Sequence, residues 1–260
     1  MALGILVVGG CRPGRPRPPL PATLPSADEL LARVAARRHV LTSVRGLARV
    51  SYERGEERGG SRHAVVVEAP DRFRLEVLSP LGALAVVTCD GAELAVWVRR
   101  ESRIYRGPAS AASVASYTGL PVAVGDVASV LLGLPPERRV TARPLVTRDE
   151  ELHLIRLHAT IDGGWQDILF APDSLLPVAS ETTLDAGRIL HVGFADYRTI
   201  GGVELPLDVA MRLVPEGGSV RVRYESPTIG AAPGGDLFVF PPRPGAEEVR
   251  LEHYATGEEP

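Results

Sequence analysis

A two-residue alternation of apolar and charged side chains constrains this chain more than any other feature of its sequence. In residues 72–77 charged and apolar side chains alternate without exception, and residues 220–225 repeat the pattern. Successive side chains of a β-strand point to opposite faces, so both segments are typical of strands with one buried and one solvated face. The alternation predicts a sheet with an apolar side and a charged side.

Short segments of strand character recur along the chain, and turn-forming pairs such as Gly59-Gly60, Asp90-Gly91 and Gly217-Gly218 separate many of them. Turn signals spaced by about 8–12 residues favour antiparallel sheet over β-α-β units. We count about eleven strands, at residues 44–52, 62–68, 72–78, 83–89, 94–98, 152–159, 165–170, 177–183, 189–197, 207–213 and 219–225.

Two regions have helical patterns instead. Ser26 and Glu29 form a capping box at the start of an amphipathic segment, which predicts an N-terminal helix over one side of the sheet. Residues 110–117 and 125–132 predict two short helices, the second ended by Gly133 and the prolines after it. A sheet of about eleven strands must curl. We therefore predict a mainly β (α+β) fold, in which a curved antiparallel sheet forms an incomplete β-barrel covered by the N-terminal helix and the central helical pair.

The N-terminus resembles a lipoprotein signal. An apolar run ends in Gly9-Gly10 directly before Cys11, as in a bacterial lipobox, where the cysteine becomes the lipid-bearing first residue. The first two residues lack the basic charge of a signal peptide, so we expect the true start to lie upstream. The alternatives are a strand with a Gly-Gly turn or a dinucleotide-binding loop, although the prolines from Pro13 onward oppose the helix that such a loop opens.

This pattern divides the chain into four parts. We predict a signal peptide at 1–10, the acylated Cys11 with a proline-rich tether to residue 25, a folded domain at 26–250 and a polar tail at 251–260. At about 3.1 Å per residue the tether spans roughly 40 Å. The second cysteine, Cys89, either pairs with Cys11 in a disulfide or, if Cys11 is acylated, is a small buried residue.

Composition and motifs exclude several functional classes. The net charge is −3 and 5% of the residues are aromatic, so there is neither a basic run nor a stacking surface for nucleic acid. The six histidines are scattered, and we find no His-Glu-x-x-His, Gly-x-Ser-x-Gly or phosphate-loop motif. We therefore expect no enzymatic activity, no cofactor and no bound metal, and we expect a monomer.

Three patches resemble LolB-type outer-membrane lipoprotein receptors and the wider LolA/LolB-like group. They are the turn 78–82 (Leu-Ser-Pro-Leu-Gly), the segment 118–135 with its two Gly-Leu-Pro sequences, and the lipobox before a proline-rich tether. The resemblance spans most of residues 26–250. The residues from Ala231 onward look like an addition to it.

The resemblance implies a function. Such proteins shield the acyl chains of lipoproteins crossing the periplasm, and the receptors insert them into the outer membrane. It implies a protein lipid-anchored to the periplasmic face of the outer membrane, with acylated lipoproteins, a periplasmic LolA-like carrier and membrane lipid as partners. A lipid- or glycolipid-binding lipoprotein of the same fold, and a structural or sensory lipoprotein that binds a protein, are the alternatives.

The resemblance also assigns site residues. The exposed leucine that assists membrane insertion in LolB-type receptors corresponds to Leu81, in the turn Pro80-Leu81-Gly82; the alternative is that Leu81 packs beneath its own hairpin. Since alternation does not reveal which face of a strand lines a cavity, each candidate cavity or lid residue has core packing as its alternative. The candidates are Phe73, Leu75, Val77, Val86, Trp97, Val127 and Leu131.

Overall fold

The computed structural model describes residues 19–184, 187–215, 217–230 and 234–251. Its helices are α1 (Ala27–Val40), α2 (Ala111–Thr118) and α3 (Val124–Leu131), with a short 3-10 helix at Gly235–Phe238. The strands are β1 (Ser43–Arg54), β2 (Glu57–Glu68), β3 (Arg72–Ser79), β4 (Gly82–Asp90), β5 (Glu93–Val98), β6 (Arg103–Pro108), β7 (Leu145–Asp149), β8 (Leu154–Ile161), β9 (Gly164–Phe170), β10 (Pro177–Thr183), β11 (Ile189–Ile200), β12 (Val203–Val214), β13 (Ser219–Tyr224), β14 (Thr228–Ile229) and β15 (Glu247–Arg250).

All of these strands belong to one curved sheet, which is not closed into a barrel in the part of the chain described. The order is β15-β6-β5-β4-β3-β2-β1-β13-β12-β11-β10-β9-β8-β7, with β14 paired to β1. Neighbours are antiparallel except β15, which runs parallel to β6. The predicted fold class is therefore confirmed. The sheet contains four strands that we did not predict, β6, β7, β14 and β15.

The alternation in the sequence sorts the side chains onto two faces of the sheet. On one face, Leu75 lies opposite Val65 of β2 and Val87 of β4. The same face continues across the long-range junction of β1 with β13, where Val50 lies opposite Val222. These apolar residues belong to the main core, so this is the concave, covered face. The arginines and carboxylates of the same strands lie on the convex face.

The helix α1 covers one end of the concave face. The Ser26 side chain caps the helix by accepting a hydrogen bond from the Glu29 backbone N–H at 3.1 Å. Leu30 and Val34 are buried in a cluster with apolar residues of β8 and β9, among them Leu157 and Phe170. The predicted position of this helix over the sheet is thus confirmed.

The segment preceding α1 also contacts the domain. Leu20 and Leu24 pack against the cluster beneath α1. The Arg148 guanidinium donates hydrogen bonds to the carbonyl oxygens of Pro21, at 3.0 Å, and of Ala22. The predicted tether therefore has its last residues fixed to the edge of the sheet near β7. Its earlier residues lie outside the described part of the chain.

The segment after Gly234 crosses the convex face and ends beside β6. Phe240 stacks on Trp97 with 6.2 Å between the ring centroids, and Arg243 lies 4.0 Å over the same indole ring. The strand β15 then extends the sheet at β6, where Arg103 and Arg106 pair with Glu247 and Glu248. We call residues 234–251 the C-terminal strap. Leu251, which we assigned to the tail, is buried at its end.

Candidate apolar binding site

The helices α2 and α3 and their connection lie over the concave face and enclose a cavity of about 120 Å³. We call residues 111–131 the lid. From the sheet the cavity is lined by Val50, His63, Val65, Phe73, Leu75, Val87, Leu94, Val209, Met211, Val220 and Val222, and from the lid by Val114, Tyr117, Thr118, Leu120, Val122, Val127, Val130 and Leu131. Nearly all of these side chains are hydrocarbon or thioether, so the cavity favours apolar ligands and stays dry without one.

The first part of the lid, α2 and its connection to α3, has an uncharged sequence. From Gly107 to Gly125 the chain contains no Asp, Glu or Arg. Ser110 caps α2 by accepting a hydrogen bond from the Ser113 N–H at 3.2 Å, and Gly119 ends the helix with a left-handed φ of 75°. The hydroxyl of Thr118 donates back to the Val114 carbonyl at 2.7 Å. These bonds are internal to α2 and its caps, whereas Val114 and Leu120 contact the sheet through apolar surface.

The end of the lid near α3 is fixed by polar bonds to the rest of the domain. The Tyr224 hydroxyl donates to the Leu131 carbonyl oxygen at 2.7 Å, and burial raises the pKa of this hydroxyl. Asp126, which is buried on α3, accepts two hydrogen bonds from Arg138 at 2.7 and 2.6 Å. Just beyond α3, the Gln166 amide donates to the Pro136 carbonyl at 2.8 Å. The lid is thus tied firmly at its C-terminal end.

The structure brings four of the seven predicted cavity residues together. Phe73 and Leu75 line the cavity from β3, and Val127 and Leu131 line it from α3. Val77 lies on the same face but does not line the cavity, and the pairing of β3 with β4 is bulged directly after it.

Val86 and Trp97 are not in the cavity, and this part of our site prediction needs correction. They lie opposite each other on β4 and β5, on the convex face, and pack with Ile104 and Phe240. Their neighbours Val87 and Val96 have the inward orientation instead. The C-terminal strap buries this outward apolar pair, so their apolar character reflects a second core.

The hairpin between β3 and β4 projects a leucine into solvent. Leu81 is 86% exposed at its tip, so it does not pack beneath its own hairpin. The Ser79 hydroxyl donates to the Gly82 carbonyl at 2.7 Å and accepts from the Leu81 N–H at 3.2 Å. Arg99, from the neighbouring turn, donates to the Leu81 carbonyl at 2.9 Å. The turn is therefore held in a shape that presents an apolar side chain beside a basic one.

Of the two cysteines, only Cys89 lies among the residues that the structure describes. Cys89 is buried as a free thiol on β4, and burial raises its pKa to about 11, so it is poorly reactive at neutral pH. Cys11 lies outside the described residues. In the part of the chain that the structure describes, no helix combines the length and apolar character needed to cross a membrane.

Sequence reasoning missed the share of the cavity that comes from β12 and β13. Val209 and Val222 face each other there and line the cavity. The alternation in residues 219–225 pointed to apolar side chains on one face. It did not reveal that β13 pairs with β1, about 170 residues earlier in the chain, which brings Val222 beside Val50.

No protein-family model and no protein of curated function matches this sequence. Solved structures do resemble it. A structure described as an outer membrane lipoprotein-sorting protein domain, from Vibrio parahaemolyticus, is 13% identical with a TM-score of 0.57, and the match covers 82% of this chain and 95% of that one.

Two further structures resemble the chain to a similar degree. A DUF1329 family protein from Desulfovibrio piger is 13% identical with a TM-score of 0.58, over 82% of this chain and 95% of that one. A LolA superfamily protein from Nitrosomonas europaea is 12% identical with a TM-score of 0.55, over 84% and 99%. At such identities the likeness concerns the fold alone: the chain has the fold of these three structures.

Proposed function

We propose that this protein binds the acyl chains of lipoproteins in the cavity beneath its lid. The single observation that carries the proposal is the apolar cavity between a concave sheet and a helical lid that meets it through apolar side chains. An acyl chain gains about 0.8 kcal/mol for each CH₂ group removed from water, so it needs such a surface to cross an aqueous space. The similarity to a lipoprotein-sorting domain and a LolA superfamily protein supports the same choice of ligand.

The cavity volume indicates how binding would occur. Ligand pockets usually measure roughly 300–1,000 Å³, whereas this cavity measures about 120 Å³. An acyl chain therefore needs the lid to move away from the sheet. The acyl chain can replace the apolar contacts of α2 as that helix moves, and the polar bonds at the α3 end act as the fixed side of the lid.

Acyl binding is tested with a variant that fills the cavity. Val127→Trp places a large ring where the half-buried Val127 lines the cavity. We expect the affinity of the protein for a fluorescent fatty-acyl probe to fall at least several-fold. Val66→Trp, on the convex face of the same sheet, is the matched control and should bind as the wild type does. Equal binding by all three proteins would contradict the cavity as the acyl site.

We further propose that the protein is a LolB-like receptor, anchored through an acylated Cys11 at the periplasmic face of the outer membrane and supplied by a LolA-like carrier. The exposed Leu81 beside Arg99 supports membrane contact, because an apolar tip with a nearby cation suits an anionic lipid surface. Intact-mass measurement of the membrane-extracted protein tests the anchor. A chain that retains Met1 and has no lipid mass would contradict it.

The membrane contact has a matched pair of variants. Leu81→Glu should reduce sedimentation with anionic phospholipid vesicles, while Leu145→Glu, at a 60% exposed leucine on the far edge strand β7, should not. Depletion of the protein should also mislocalise other lipoproteins. Normal sorting with lipid still bound to the purified protein would favour a lipid or glycolipid binder. Normal sorting without bound lipid would favour a structural or sensory lipoprotein.

A further inference from the structure

The wall of the apolar cavity contains a ring nitrogen for which the described part of the chain supplies no hydrogen-bond partner. His63 lies on β2 among the lining residues. Its Nε2 is 2.9 Å from the Ser61 hydroxyl oxygen, while its Nδ1 is buried and has no partner among the residues described. Buried polar atoms are nearly always hydrogen-bonded, so an exception in a cavity wall suggests a partner supplied by a ligand.

The surroundings of His63 keep the imidazole neutral. Burial lowers its pKa, and no carboxylate is among the residues that line the cavity with it. A neutral imidazole carries one N–H and one acceptor nitrogen. The Ser61 hydroxyl can either donate to Nε2 or accept from it; in the tautomer in which it donates, the proton lies on Nδ1, which is then a donor inside an apolar wall.

His63 also stands at a defined depth in the cavity. Along β2 the residues on the concave face are Val67, Val65 and His63, and on β3 they are Phe73, Leu75 and Val77, with Val77 opposite His63. Beyond Val77 the strand runs into the hairpin that carries Leu81. The imidazole therefore lies between the purely apolar interior and the end of the sheet from which Leu81 projects.

We propose that Nδ1 of His63 donates a hydrogen bond to the carbonyl oxygen of the ester or amide that links an acyl chain to its headgroup. The hydrocarbon then extends past Val65 toward Phe73, and the headgroup faces the Leu81 end of the sheet. Ser61 is a positioning residue that holds the required tautomer. This inference rests on the proposed function and narrows its ligand to acyl esters and amides.

The test compares two ligands of equal length that differ in the carbonyl. Methyl palmitate and methyl hexadecyl ether compete for a fluorescent apolar dye bound to the full-length protein, in the wild type and in His63→Leu. Loss of one hydrogen bond should weaken the ester by about 3- to 10-fold and leave the ether within about twofold. His63→Gln, whose amide retains a donor, should restore part of the preference for the ester.

The nitrogen itself gives a second readout. In protein labelled with ¹⁵N at histidine, the Nδ1 resonance of His63 should shift with the ester and not with the ether, and Ser61→Ala should reduce the shift. Equal weakening of both ligands in His63→Leu would reduce His63 to a packing residue and overturn the inference. A preference for hexadecanol over the ester would also overturn it, by showing Nδ1 to be an acceptor. If neither ligand bound the wild type, the proposed function would fail as well.

Discussion

The concave face of the sheet is covered by α1 at one end and by the lid at the other. The first region is packed as a core, and the second contains the candidate binding cavity. Over β8 and β9, α1 packs closely on the sheet: Leu30 of the helix and Ile155, Leu157 and Phe170 of the strands are all fully buried. Over β1–β5, β12 and β13, the lid leaves a cavity, and half-buried side chains such as Leu75 and Val127 border it. The region under α1 is thus tightly packed, whereas the region under the lid has space for part of a ligand.

The polar contacts differ in the same way. Around α1, Arg37 donates to the Glu204 carbonyl at 3.0 Å and Arg38 donates to the Pro135 carbonyl, so the helix is bonded to distant parts of the chain. In α2 the hydroxyls of Ser116 and Thr118 return to carbonyls of the same helix. A segment held mainly by apolar contacts can separate from its partner without leaving buried polar groups unpaired. That property suits a lid.

The largest expected effect comes from removing the same side chain in the two halves. Leu157→Ala creates a void in a fully packed cluster and should lower the free energy of unfolding by about 2–5 kcal/mol. Leu75→Ala enlarges an existing cavity at a half-buried site and should cost only about 1–2 kcal/mol. Urea unfolding measures both. Equal losses would show that the two halves are packed alike and would break the comparison.

The fixed end of the lid gives the next effect. Arg138→Ala leaves the buried Asp126 carboxylate without its bidentate partner, and we expect a loss of about 2–4 kcal/mol in unfolding free energy. The control is Arg33→Ala, because Arg33 and its partner Glu29 are both about half exposed and the pair should contribute under about 1 kcal/mol. A similar small loss at Arg138 would mean that α3 is no better anchored than the surface of α1.

The smallest effect is a pH dependence that belongs to the lid half. Burial lowers the pKa of His63 in the folded protein, so below its ordinary value of about 6.5 the unfolded chain takes up a proton that the folded chain refuses. The contribution of the neutral His63 to the free energy of unfolding is therefore fully present above about pH 6.5, and it is lost as the pH falls toward the pKa of His63 in the folded protein. Unfolding curves at pH 7.5 and 5.5 should therefore differ less for His63→Gln than for the wild type. An unchanged difference would place the titration elsewhere.

Local signals in the sequence predicted the elements well where each element is specified by its own residues. Ser26 with Glu29 marked the start of α1, and Gly133 with the following prolines marked the stop after α3. The strand β15 had no such signal. It is short and polar, and it forms only where it meets β6, more than 140 residues earlier, where Glu247 and Glu248 pair with Arg103 and Arg106.

The candidate site shows the same limit. Phe73 and Leu75 could be assigned to one apolar face because their strand alternates cleanly and has charged residues on the other face. On β4 and β5 both faces are apolar, since one meets the cavity and the other meets the C-terminal strap. Alternation could not distinguish Val86 from Val87 or Trp97 from Val96, and only the position of Phe240 decides between them.

The pairing of β15 with β6 has a consequence for the order of events during synthesis. β6 is made early, yet the strand that covers its outer edge is the last one described in the chain. Until residues 247–250 emerge, the backbone N–H and C=O groups along that edge have no neighbour, and an open edge invites pairing with another chain. Nascent protein would thus be open to aggregation along this edge until β15 has been made. We expect a chaperone that shields nascent chains to protect the edge of β6 until then.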